Sequence, residues 1–190
     1  MPIITIAELI GLIVITIYIG YIFTGIIKTR PKTVYNILHP RRIDMRDFKF
    51  AILVSAPAVI LHELAHKFTA IFYGYSATFQ AFYSSTFTLI LAAISIILKT
   101  IGSPFILIVP GFVQIPLISD SVAYRLIAFA GPFINLSLFL TAHLILNHAK
   151  KLKRNQMIFL AITKQINLWL FIFNMLPLPP LDGSKVLFGP

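Results

Sequence analysis

Two histidines four residues apart, His62 and His66, with Glu63 directly after the first, form an H-E-x-x-H pattern inside the apolar run of residues 50–73. Residues at i and i+4 share a helical face, so both imidazoles can turn a ring nitrogen toward one metal ion. Glu63 is offset by about 100° around the helix. That angle takes it out of the ligand pair and leaves it able to reach a water held by the metal, as a general base must. A run of this length crosses a bilayer, where a central carboxylate costs roughly 2.5–3.5 kcal/mol on insertion scales. Ionisable groups placed at such expense usually face the protein interior and mark function.

Composition supports the membrane setting. The chain has 190 residues, 58% of them hydrophobic and only six acidic, which is the profile of a multi-pass protein of the cell membrane. It has no cysteine, so neither a disulfide framework nor a thiolate zinc site can be built, and a metal must rely on His, Asp and Glu. The formal charge of +10 comes from basic residues clustered between apolar spans. Contact with the headgroups of the lipid bilayer accounts for it, and no nucleic-acid partner is expected.

The elements that must position these residues follow from the apolar pattern. Residues 3–27 read as a retained first transmembrane helix, too long for a signal-peptide core and followed by Lys28, Thr29 and Arg30 where a small-residue cleavage site would stand. Residues 28–49 form a basic loop. The second helix covers 50–73, with Pro57 a potential kink before the motif and Gly74 as its stop. Residues 75–83 alternate partly with period two and suggest a strand. Residues 84–98 are short for a straight crossing, and 105–118 are broken by Pro110, Gly111 and Pro116. A hairpin or re-entrant region is expected over 75–121, with a short extended segment near Val113. Further spans cover 122–146 and the stretch from Met157 to Phe173, giving an all-α polytopic membrane protein of roughly four main transmembrane helices with short β-strands in the irregular region. The whole is expected to be one membrane-embedded core, 1–190. Only eight residues follow Asp182, where the start of a further helix is expected, and two readings stay open: a C-terminally truncated chain or a minimal core.

A catalytic zinc site has three protein ligands and an open position. Glu8, Asp44, Asp47 and Asp120 fall at helix ends or in loops, which leaves Asp182 as the acid at membrane depth; His143 is the competing third ligand. Pro177, Pro179 and Pro180 forbid regular helix just before Asp182, so the carboxylate is presented beside unwound backbone. With His62, His66 and Asp182 on one catalytic Zn2+, Glu63 can act as the general base that takes a proton from a water attacking a peptide carbonyl. Asn174, at the start of the unwound stretch, is the best-placed amide for a developing oxyanion or for substrate. Asn135 is a second candidate, for contact with the substrate backbone or for helix packing.

The helix-borne His62-Glu-Leu-Ala-His66, the Gly131-Pro132-x-x-Asn135 stretch and Asn174-Met-Leu-Pro-Leu-Pro-Pro-Leu-Asp182-Gly183 together resemble the site-2 protease family of intramembrane zinc metalloproteases, in order and spacing over 50–187. The resemblance implies zinc held by His62, His66 and Asp182, Glu63 as catalytic base, Asn174 assisting substrate or oxyanion binding, and a transmembrane protein as the substrate that is hydrolysed. Ala65 stands where the family usually has Gly, and the apolar stretch 84–101 exceeds the shortest family pattern. Two other readings share the residues. A transporter could use the same four side chains as a transit site, but no internal repeat supports it. A prenyl-protein type of membrane peptidase also carries H-E-x-x-H, but the L-D-G stretch after the prolines argues against it.

Overall fold

The computed structural model describes residues 3–27, 44–103, 109 and 111–189. Helix α1 (Ile6–Phe23) opens on a capping box in which Thr5 Oγ1 accepts from Glu8 N–H at 3.3 Å and Glu8 Oε2 accepts from Thr5 N–H at 2.7 Å. This reciprocal pairing satisfies two backbone donors that have no helical partner, and it accounts for an acid at the head of an apolar helix. Helix α2 (Met45–Phe72) runs continuously through Pro57. It starts earlier than the apolar pattern suggests, so Arg46, Asp47 and Lys49 of the expected basic loop are helical. Asp44 Oδ1 accepts Arg46 N–H at 2.9 Å at its head. The rest of that loop, 28–43, lies outside the described residues. Gly74, at φ +83°, ends the helix as expected.

Strand β1 (Thr78–Ala81) follows, then a single 3-10 turn at Phe82–Ser84 and helix α3 (Thr86–Thr100). Strand β2 (Gly111–Gln114) pairs with β1 in a two-stranded sheet, where the Gln80 and Gln114 side chains meet at 3.4 Å. Both short strands fall where alternation and Val113 placed extended chain. Of the irregular region, 104–108 and 110 lie outside the described residues.

Helix α4 (Ser121–His148) is capped by Asp120, whose Oδ1 accepts from Val122 and Ala123 N–H at 2.8 and 3.1 Å. It packs against α5 (Arg154–Asn174) and against the short α6 (Asp182–Phe188). Between α5 and α6 the proline-containing segment is irregular, closed by a turn from Leu181 N–H to Leu178 O at 2.8 Å. Helices α1, α2, α4 and α5 are long and apolar enough to cross a membrane, whereas α3 is shorter. Large apolar side chains such as Ile6, Phe72, Val122 and Phe133 point outward, which in lipid carries no hydrophobic penalty. The result is a multi-pass membrane architecture with a small β element.

The chain divides into two compact units, residues 1–57 with 81–111, and residues 58–80 with 112–190. The first is centred on Leu12, Ile15, Ile19 and Ile22 of α1, with Val54 and Ala92 also buried. The second contains the cluster of Ala70, Ile118, Ala123 and Ile127, lined by Tyr75, Ala77, Ile115 and Tyr124. Every residue of the centre described next belongs to this second unit.

Candidate metal centre

One helical turn separates His62 from His66 on α2, and their rings meet edge to face with centroids 4.7 Å apart. The two Nε2 atoms are 3.1 Å apart. Asp182, the first residue of α6, places Oδ2 3.2 Å from each of them. All three residues are buried, as is Glu63. Among the described residues, His62, His66 and Asp182 form the cluster of ligand-type side chains with the geometry to hold a metal ion.

The far sides of the imidazoles decide what this triangle can bind. His62 Nδ1 lies 2.7 Å from Asn135 Oδ1, and His66 Nδ1 lies 2.7 Å from the Ile127 main-chain carbonyl. Both partners are acceptors, so each Nδ1 carries the proton and each Nε2 turns a lone pair inward. Two imidazole lone pairs and a carboxylate oxygen therefore converge on one point. Without a cation this arrangement is electrostatically unfavourable; with one it is a ligand set. A tetrahedral zinc with bonds of about 2.0–2.1 Å has ligand atoms about 3.3–3.4 Å apart, close to the observed spacing of 3.1–3.2 Å. The residues present fit zinc.

Comparison with known proteins agrees with this chemistry. The chain is 35% identical over 145 residues to "Putative zinc metalloprotease MJ0611" of Methanocaldococcus jannaschii, an alignment that covers 74% of this chain and 70% of that protein. The chain belongs to the site-2 protease-like family of zinc metalloproteases. It is also 40% identical over 70 residues to "Putative zinc metalloprotease YwhC" of Bacillus subtilis, covering 33% of this chain and 32% of that protein. No protein-family model matches the chain, and no solved structure matches it at a significant level.

In this site-2 protease-like chain, the other residues singled out from sequence occupy distinct places. Glu63 follows His62 on α2, within Coulombic range of His62, Asp182 and Lys185. Asn135, on α4, is fully buried; while its Oδ1 accepts from His62, its Nδ2 donates to Ala58 O at 3.1 Å and to Asn167 Oδ1 at 2.9 Å. Asn174 is the last residue of α5, half-buried, where the irregular segment begins. His143 is not brought to the cluster; it contacts Asn147 at 3.0 Å and stacks on Phe139 one turn away on its own helix.

Two glycines of this family member matter more than the sequence alone indicates. A Cβ on Gly131 would lie 2.3 Å from His66 Nε2 and 2.7 Å from His62 Nε2, so the bare backbone of α4 is what leaves room over the ligand nitrogens. A Cβ on Gly183 would lie 2.4 Å from the Met175 carbonyl carbon and oxygen. Backbone cannot swing aside as a side chain can, and Gly183 thereby lets α6 seat Asp182 against the end of α5. Lys185 Nζ approaches the second carboxylate oxygen, Asp182 Oδ1, at 3.4 Å. Asn167 and Lys185 carried no sequence signal beyond being polar residues in an apolar setting.

Proposed function

We propose that the protein is an intramembrane zinc endopeptidase that hydrolyses peptide bonds within transmembrane segments of other membrane proteins. The observation that carries this reading is the buried triangle of His62 Nε2, His66 Nε2 and Asp182 Oδ2, whose two histidines sit on a helix long and apolar enough to span the bilayer.

His62, His66 and Asp182 would hold the ion, with Asn135 and the Ile127 carbonyl keeping both imidazoles in the ligating tautomer. Bound zinc supplies Lewis acidity, which activates water at neutral pH and polarises a scissile carbonyl. Glu63 accepts the proton from the attacking water and returns it to the departing amine nitrogen, the two-way duty of a general base that becomes a general acid. Asn174 stands at the end of α5 with a side-chain amide that can donate to the oxyanion as negative charge develops. Burial of the four acidic and imidazole groups restricts water, so each of these interactions operates at lower effective dielectric than in bulk solvent.

A helical substrate hides its carbonyls in hydrogen bonds, so it must unwind to react, and helix-breaking residues are expected near the cut. Reconstitution with a single-span substrate, followed by mass spectrometry of the products, tests the reading. Cleavage inside the span that stops on zinc chelation is the expected result. Cuts confined to the substrate's extramembrane segments would overturn the intramembrane assignment while leaving a metalloprotease.

A further inference from the structure

We infer that Asn167 is a positioning residue for the metal centre: through Asn135 it fixes the His62 tautomer that leaves Nε2 free to bind metal. This inference rests on the zinc-enzyme reading above and extends it to a third helix.

The chain of contacts has a direction that can be worked out from one end. The Thr163 main-chain carbonyl on α5 can only accept, and Asn167 lies 2.8 Å from it, so Asn167 must present Nδ2–H there. Its Oδ1 then faces Asn135 and requires a donor, which is Asn135 Nδ2 at 2.9 Å. The second hydrogen on Asn135 Nδ2 goes to Ala58 O at 3.1 Å. Asn135 Oδ1 is thereby the only amide atom left to face His62 Nδ1, at 2.7 Å, and an oxygen there requires the proton on Nδ1.

Turning Asn135 over would reverse every contact. Its Oδ1 would then face two acceptors, Ala58 O and Asn167 Oδ1, and its Nδ2 would face His62 Nδ1. The imidazole proton would move to Nε2, where the metal belongs. Asn135 and Asn167 are both 0% exposed, so no bulk water can relieve such a mismatch, and an unsatisfied buried polar group costs about 1–3 kcal/mol. Ala58 alone would still favour the observed orientation. Asn167 adds a second lock, anchored to main chain on α5, so the relay joins α5, α4 and α2.

The test uses the full chain purified in detergent and compares parent with Asn167→Leu, which removes both the acceptor and the donor. Competition with a coloured zinc chelator is expected to show zinc binding about tenfold weaker in Asn167→Leu, the low end of losses from removing a partner that supports a ligand. Nitrogen-15 spectra of labelled histidine in the metal-free proteins are expected to show His62 as a single Nδ1–H tautomer in the parent and as a mixture in the variant. If Asn167→Leu does not fold, Asn167→Ser, too short to reach Asn135, carries the same expectation. Zinc affinity equal to the parent's would overturn the inference. So would weaker affinity with the His62 tautomer unchanged, because that result marks a packing role. A parent that binds no zinc would instead defeat the zinc-enzyme reading on which the inference rests, and the two failures are told apart by the parent sample alone.

Discussion

Asn135 Oδ1 sits 2.7 Å from His62 Nδ1, and that one contact makes Nε2, the atom facing His66 and Asp182, the unprotonated nitrogen of the ring. An imidazole free to choose its tautomer would spend part of its time with a proton in the metal's place. Asn135→Leu keeps side-chain size, removes the acceptor and leaves Asn167 Oδ1 without its donor. We expect zinc affinity to fall about 10- to 100-fold, measured by chelator competition, with Asn135→Asp losing less because an acceptor remains beside His62.

Gly131→Ala should act on the same centre by volume and not by polarity. The added methyl would stand 2.3 Å from His66 Nε2 and 2.7 Å from His62 Nε2, closer than any real contact. The histidine rings must give way, so zinc affinity should drop by about 100-fold, the upper end of what loss of ligand support produces. Helix content by circular dichroism should stay at the parent value, since alanine is a better helix former than glycine. A variant that binds zinc as the parent does would show that α4 does not close over the ligand nitrogens.

Glu63→Gln separates binding from chemistry. Glu63 is outside the three-atom cluster, so the variant should retain zinc at the parent stoichiometry. Cleavage of a transmembrane substrate should fall by about 10²- to 10⁴-fold, the usual contribution of a positioned acid or base. Unchanged cleavage would remove Glu63 from the mechanism.

The parts of this centre that could be read from sequence are those whose geometry is local or whose alternatives are few. His62 and His66 share a face because helical periodicity puts them there. Asp182 stood out because the other acids read as lying at helix ends or in loops; in the structure the Glu8 carboxylate accepts from N–H of the N-cap Thr5, and Asp44 and Asp120 accept from backbone N–H groups in the first turns of α2 and α4. The proline run before Asp182 announced an irregular segment, and period-two alternation announced β1.

What could not be read depends on how helices rotate against one another. Asn167 meets Asn135 only because α4 and α5 pack with those faces together, and a buried asparagine has the same sequence signature whether it bridges two helices or caps one. Gly131 stood out in the sequence only as part of the Gly131-Pro132-x-x-Asn135 stretch, since nothing in the chain's order reveals that two histidine rings lie over it. The start of α2 was placed too late for a different reason. Hydropathy marks where the apolar run begins at Phe50, whereas the helix continues through polar residues to Met45.

The central claim is that His62, His66 and Asp182 bind one zinc ion. X-ray absorption at the zinc edge, on purified parent protein with metal content measured in the same sample, tests it most directly. The account predicts one zinc per chain with two imidazole nitrogens and a carboxylate oxygen at about 2.0–2.2 Å, and loss of that metal in Asp182→Ala. Parent protein without stoichiometric zinc, or Asp182→Ala holding zinc with an unchanged spectrum, would contradict it.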